Sequence, residues 1–219
     1  MKERKAQRNP RLLRWTFIFW LIFTQFVAYD PVAAQLPTGD FPKYYDETVY
    51  APKLDSLRQL YGKNVSYKNK RGIELATLLA LSHYPELYNR KVKVIIKKVK
   101  GAPVEASFSP FNFIKPRRMK IYKIIIHEDS FMERLPLNQQ VAALGHEMAH
   151  FVQYERRGYF GTLFTLLGYV TSDKKRFRFE KDADKIAIDH GLGPQMLTFS
   201  FYTVRQEIKA YMDEKGYEY

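Results

Sequence analysis

Two histidines stand four residues apart in the stretch "LGHEMAHF", residues 144–151. On an α-helix, positions i and i+4 lie on the same face, so His146 and His150 would direct both imidazole rings toward one point. Glu147 follows the first histidine and would lie beside that point. Two imidazoles with an adjacent carboxylate are typical of a zinc site in which the carboxylate acts as a general base.

The helix that would carry this motif is predicted over residues 138–157. That range contains no proline and a single glycine, Gly145, and its apolar residues recur at helical spacing. Gly158 directly after it is a typical helix end. The motif would therefore lie in the middle of a helix, where both histidines share a face.

A catalytic zinc ion needs a third protein ligand and an open position for water. The chain has no cysteine, and His190 is the only histidine after the motif. "EKDAD", residues 180–184, places Glu180 and Asp184 four apart on a second predicted helix. Glu180 would bind the metal, and Asp184 would accept a hydrogen bond from the second ring nitrogen of a ligating histidine. Asp182 and His190 are the alternatives.

"HEMAH" followed by "EKDAD" resembles the gluzincin metallopeptidases, whose pattern is HExxH with a later ExxxD. "EKDADKIAIDHG" is most similar to the HtpX-like and prenyl-protein-endopeptidase branch, and the resemblance covers residues 141–191. It implies a zincin-like domain that binds Zn²⁺ through three side chains: His146, His150 and Glu180. Glu147 would be catalytic and Asp184 would support a ligand. The multi-helix membrane core of that branch has no counterpart in this sequence, so its membrane-embedded substrates are not expected.

The chemistry expected of such a site is peptide-bond hydrolysis. Zinc would lower the pKa of a bound water toward about 7. Glu147 would take the proton of that water and pass it to the leaving amine. A second donor to the oxyanion is expected, and three candidates remain open: His190, Tyr202 and Arg205. We therefore expect an exported zinc endopeptidase with a polypeptide substrate.

The elements that would position the site indicate an α+β domain with a small antiparallel or mixed sheet. "KVKVIIKKVK", residues 91–100, alternates lysine with Val and Ile, which predicts a strand with a solvated lysine face at a sheet edge. A dedicated polyanion site is the alternative. Residues 119–129 predict a second strand directly before the metal helix, where zincin-like folds present an edge strand to substrate; an interior strand is the alternative. A third strand would lie near Phe111.

The C-terminal half is predicted to be mostly helical. Helices are expected over residues 73–84, 179–190 and 195–215. Residues 35–52 are expected to form an irregular lead-in. The apolar stretch at residues 159–170 is either a buried segment or, if exposed, a loop that dips into a membrane or lines the substrate site.

The N-terminal segment has the order of a secretory signal peptide. A basic head precedes an apolar run at residues 15–29, and small residues precede Gln35. We expect residues 1–34 to be a cleaved signal peptide, with an uncleaved anchor through residues 12–29 as the alternative, and residues 35–219 to be one domain. Either option predicts export, to the periplasm or as a secreted protein.

The formal net charge of the chain is +13, of which +4 belongs to the first 34 residues and +9 to the remainder. Such a balance favours acidic partners, including an anionic membrane surface. No zinc-finger, helix-turn-helix or RNP motif is visible, so we do not expect nucleic acid to be the partner. Two other classes remain as alternatives: a zinc-containing scaffold that binds polypeptides without cleaving them, and a cationic envelope- or membrane-binding module.

Overall fold

A computed structural model describes the protein from residue 41 onward, except for residues 70–71, 100–101, 109–111, 113–114 and 116–118. The side chains of 108, 159, 160, 163, 165–167 and 170 are also excepted. The expected signal or anchor segment and the third strand expected near Phe111 lie outside these residues. The helices are α1 Glu47–Tyr50, α2 Leu54–Tyr61, α3 Glu74–Ser82, α4 Leu137–Thr171, α5 Asp173–Ala187, α6 Gly193–Met196 and α7 Arg205–Lys215. The strands are β1 Val65–Lys68, β2 Lys91–Lys97, β3 Val104–Phe108 and β4 Ile121–His127.

The four strands form one mixed sheet in the order β1-β2-β4-β3, and only β3 runs antiparallel to its neighbour. The buried face of β2 contributes Val92, Val94 and Ile96 to the core. On β4, the Tyr122 ring stacks on Phe151 of α4 with 4.7 Å between centroids. This contact holds the sheet against the helix that carries the motif. The α+β class and the small mixed sheet are confirmed.

The position of the edge strand differs from the expectation. The strand at residues 119–129 was expected to have a free edge, but β4 is interior, because it pairs with β2 on one side and β3 on the other. β2 is interior as well, and its lysines mark the solvated face and not an edge. Among the described residues, β3 has a neighbour on one side only. It is β3, therefore, that brings a strand edge to α4.

Helix α4 consists of two helical segments that meet at Gly158, where the helix carrying the motif was predicted to end. Gly158 has φ 63° and ψ −169°, so it interrupts the regular helix, and the chain then resumes helical turns to Thr171. Positive φ is accessible to glycine at little steric cost. The apolar stretch after Gly158 is thus helical, with Thr162 buried and Phe164 exposed. Within the described part of the chain, no helix combines the length and apolar character needed to cross a membrane.

The predicted helix over residues 195–215 is wrong as a single element. It is two helices, α6 and α7, separated by residues 197–204. Two side chains of this loop, Ser200 and Thr203, donate to a carboxylate of α5. The loop therefore leaves helical geometry where its hydroxyl groups serve the site described next. By contrast, the helix predicted over residues 73–84 is confirmed by α3.

Candidate metal centre

Helices α4 and α5 run antiparallel and bring the two sequence motifs together. His146 and His150 project from α4 toward Glu180 on α5, and all three side chains are buried. One nitrogen or oxygen atom of each lies within 4.8 Å of the others. Gly145, which precedes the first histidine, allows Leu192 to pack directly against α4, since a Cβ at position 145 would lie 2.2 Å from Leu192 Cδ1.

The atoms of this group have the spacing of metal ligands. His146 Nε2 lies 3.2 Å from Glu180 Oε2, and His150 Nε2 lies 3.0 Å from the same oxygen. In tetrahedral coordination at about 2.0–2.1 Å, zinc ligand atoms lie about 3.3–3.4 Å apart. The two distances to Glu180 therefore lie within a few tenths of an ångström of the spacing expected around a tetrahedral ion.

The second nitrogen of each imidazole is already engaged. His146 Nδ1 donates to Asp184 Oδ1 at 2.7 Å, and His150 Nδ1 donates to Gln153 Oε1 at 2.8 Å. The Gln153 amide is oriented by its own Nε2, which donates to the Phe179 carbonyl at 2.9 Å. These contacts fix both histidines with a proton on Nδ1 and leave each Nε2 lone pair for the metal side.

Two nitrogen lone pairs and a carboxylate oxygen thus converge on one buried point. Three acceptors in such a place repel one another unless a cation lies among them, either a proton or a metal ion. Burial opposes charging of His146, but hydrogen bonds to Asp184 and Glu180 outweigh it and raise its pKa to about 10. Burial also opposes ionisation of Glu180, yet bonds from both histidines hold its pKa below the ordinary value. The site is built to hold positive charge.

Further contacts orient these ligands. Asp184 Oδ2 accepts from Thr203 Oγ1 at 2.5 Å and from Ser200 Oγ at 3.3 Å. The Tyr169 hydroxyl donates to Glu180 Oε1 at 2.7 Å, which leaves Oε2 facing the histidines. Tyr202 stacks on the His146 ring at 5.5 Å. Each ligand is therefore restrained by a hydrogen bond, and His146 is restrained by ring packing as well.

Glu147 lies between the metal group and the sheet edge. Its side chain is 5% exposed, and its Oε2 accepts a hydrogen bond from the backbone N–H of Ala106 on β3. Burial raises the pKa of Glu147 above its ordinary value. A carboxylate with a raised pKa can accept and return a proton nearer to neutral pH.

A cavity of about 230 Å³ opens beside these residues. Its polar wall contains Glu147, His150 and Glu180, and one side is formed by β3. The rest is largely aromatic, from four side chains: Tyr154, Tyr169, Phe179 and Tyr202. The metal group therefore faces a concave space bounded by a strand edge.

The three candidate oxyanion donors lie in different places. Tyr202 lines the cavity. His190 is fully buried elsewhere, with Nε2 2.9 Å from Glu86 Oε1 and Nδ1 2.6 Å from the Ile186 carbonyl. Arg205 is exposed at the start of α7 and does not belong to the cavity wall. Of these, the structure brings only Tyr202 to the metal group.

The alternative metal ligands are likewise placed elsewhere. Asp182 is 3.5 Å from Arg157, and His190 is committed to other partners. Several residues of the site were not predicted from the sequence, among them Gln153, Tyr169 and Ala106. Gln153 follows His150 by one helical turn, so helical spacing was a usable signal for it. No sequence signal identifies the other two, because distant segments bring them in.

No protein family, curated protein or solved structure matches the chain. What the geometry defines is a buried His–His–Glu group that could bind a metal ion. The resemblance to gluzincins is supported by this geometry alone.

Proposed function

We propose that the protein is a zinc-dependent endopeptidase. The convergence of two oriented imidazole lone pairs with one carboxylate oxygen supports this proposal most strongly. Nitrogen and oxygen ligands suit zinc, and three protein ligands leave a position open, whereas structural zinc sites are usually closed by four. Glu147 stands on the cavity wall next to that group, where a general base is required.

Zinc bound here would polarise a scissile carbonyl and acidify a water molecule. Glu147 would accept the proton of that water and deliver it to the leaving amine. Tyr202, which lines the same cavity, is the best placed candidate donor to the developing oxyanion. Tyr169 would keep Glu180 bound through one oxygen, since its hydroxyl occupies the other.

The substrate backbone would bind along β3. The Ala106 N–H points away from β4 toward Glu147. In an antiparallel pair, every second residue directs its backbone groups to the same side, so the backbone groups of Val104 and Phe108 also point away from β4. An extended peptide could pair with these groups by strand addition. The role expected for residues 119–129 would thus belong to β3, and substrate would displace the contact between Ala106 and Glu147.

The test combines metal content with cleavage in the full chain. Elemental mass spectrometry should find one zinc per chain in the wild type, much less in Glu180→Ala, and a full complement in Asp182→Ala, the matched control on the same helix. Glu147→Gln should keep zinc and lose cleavage of an unstructured test polypeptide. A wild type that takes up no zinc would refute the metal site. Cleavage that survives in Glu147→Gln would refute the assigned base, and zinc without any cleavage would favour the scaffold alternative.

A further inference from the structure

Helix α5 carries exposed cations along one side. Lys174, Arg178 and Lys185 are exposed and lie at i, i+4 and i+11, on one side of the helix. Within the described residues, neither Lys174 nor Arg178 has an acidic side chain within ion-pair distance, whereas Arg176 pairs with Asp173 at 2.7 Å. Positive charge is therefore available at this surface for an external anion.

Exposed aromatic rings accompany these cations. Phe177 on α5 is 50% exposed, and Phe164, in the helical stretch after Gly158, is 70% exposed. The two stretches are in contact, since a Cβ on Gly168 would lie 2.9 Å from Lys175 Cδ. We call residues 159–181 the hairpin. Isolated exposed apolar residues are common in proteins, but aromatic rings interleaved with cations are typical of surfaces that bind the membrane interface.

We propose that the hairpin docks on membrane surfaces that contain anionic lipid. The cations complement lipid phosphates, and Phe164 and Phe177 supply apolar area that enters the interface. An acidic polypeptide would satisfy the cations but would give no reason for two exposed phenyl rings, and the sequence shows no nucleic-acid-binding motif of the zinc-finger, helix-turn-helix or RNP type. Each cation near an anionic bilayer strengthens binding by about fivefold, so several cations with two rings suffice for reversible docking.

Docking here would place the candidate active site at the lipid surface. Tyr169 belongs to the hairpin, lines the cavity and donates to Glu180. The candidate site would then lie close to substrates that are held at, or emerge from, a membrane. The docking itself uses none of the metal ligands and does not depend on the proposed hydrolysis.

A second basic surface provides an internal control. Lys91 and Lys97 of β2 are exposed on the outer face of the sheet, and β2 carries no aromatic residue. If net charge alone drove binding, reversing these two charges would weaken it as much as reversing two charges on the hairpin. If the hairpin is the docking surface, reversing two of its charges will weaken binding more than reversing Lys91 and Lys97.

The sequence also allows a site-specific reporter in the full chain. Its only tryptophans are Trp15 and Trp20, and both can be replaced by phenylalanine. Phe164→Trp then reports on the hairpin, and Leu60→Trp, at a position 68% exposed on α2, serves as the matched control. The probe is a vesicle of phosphatidylcholine with brominated acyl chains, with or without phosphatidylglycerol, because bromine quenches only tryptophan that enters the bilayer.

We expect phosphatidylglycerol vesicles to quench and blue-shift the reporter at position 164 and to leave the reporter at position 60 unchanged. Lys174→Glu with Arg178→Glu should raise the lipid concentration required by at least about tenfold, and high salt should do the same. Lys91→Glu with Lys97→Glu should have little effect. A tether through the apolar N-terminal residues alone would hold both reporters near the vesicle and quench neither.

Three results would overturn the proposal: no quenching at position 164, equal quenching at position 60, or equal loss from the two pairs of charge reversals. The measurement is repeated in Glu180→Ala. Quenching that persists without the metal ligand shows docking even if the zinc proposal fails. Zinc binding and cleavage without quenching would show the reverse.

Discussion

Replacing Asp184 by asparagine should weaken zinc binding while the two helices stay packed. Asp184 Oδ1 accepts from His146 Nδ1 at 2.7 Å, and Oδ2 accepts from the Thr203 hydroxyl. Asparagine has nearly the same shape. Its oxygen can still accept from His146, and its amide can donate to the hydroxyl oxygen of Thr203. The substitution therefore removes a negative charge next to the ligand and keeps the hydrogen bonds.

Loss of a carboxylate behind a metal-binding histidine typically costs about 10- to 100-fold in metal affinity, or about 1.4–2.8 kcal/mol. Because Asp184 is fully buried, solvent does not screen its charge, so we expect the upper part of this range. The assay is competition for zinc with a chelating dye. Asp182→Asn removes the same charge two residues away, outside the cluster, and should change affinity little.

Thermal unfolding followed by circular dichroism should show both metal-free variants folded at the assay temperature, with a lower midpoint for Asp184→Asn because the carboxylate no longer stabilises protonated His146. An Asp184→Asn affinity within about twofold of the Asp182→Asn value would refute the reasoning, because about 10-fold is the smallest effect expected of such a partner. It would mean that the carboxylate neither orients His146 nor raises its basicity.

Three further changes test other parts of the structure. Gln153→Leu should lower zinc affinity by about 10- to 100-fold in the same dye assay, because His150 Nδ1 loses its acceptor. Tyr169→Phe should lower it by about tenfold, since only the hydroxyl bonded to Glu180 is lost. Burial lowers the pKa of His83 from 6.5 to about 4. Between these pH values the unfolded chain therefore binds more protons than the folded chain, so the free energy of unfolding falls by about 3 kcal/mol as the pH drops from 6.5 to 4. Urea unfolding at several pH values should show this slope, and His83→Gln should reduce it.

Local spacing was enough to find the centre of the site. His146 and His150 share a face in any α-helix, and Glu180 and Asp184 are separated by the same interval. Packing of the two helices therefore brings all four side chains together. The four positions could be proposed from the sequence because each pair is fixed by helical geometry. Their convergence is what the structure adds.

The parts that were missed depend on contacts between distant segments. Lys123 marks β4 as solvated on one face, but the same pattern fits an edge strand and an interior strand, since pairing partners are not encoded in the alternation. Gly158 interrupts the helix as predicted, but the sequence did not indicate that the chain after it forms a further helical segment from which Tyr169 reaches Glu180. The helix predicted after residue 195 is interrupted where Thr203 bonds to Asp184.

The ligand positions also have a consequence for the unfolded chain. Glu180 follows His150 by 30 residues, and an ion bound to both would close the loop that contains Gly158 and the hairpin. A cross-link that closes a loop of this length reduces the conformational entropy of the unfolded chain, which stabilises the folded state by about 3–4 kcal/mol. The chain has no cysteine and so no disulfide to do this. For this protein, a chelator would act on the fold as a reducing agent acts on a disulfide-bonded one.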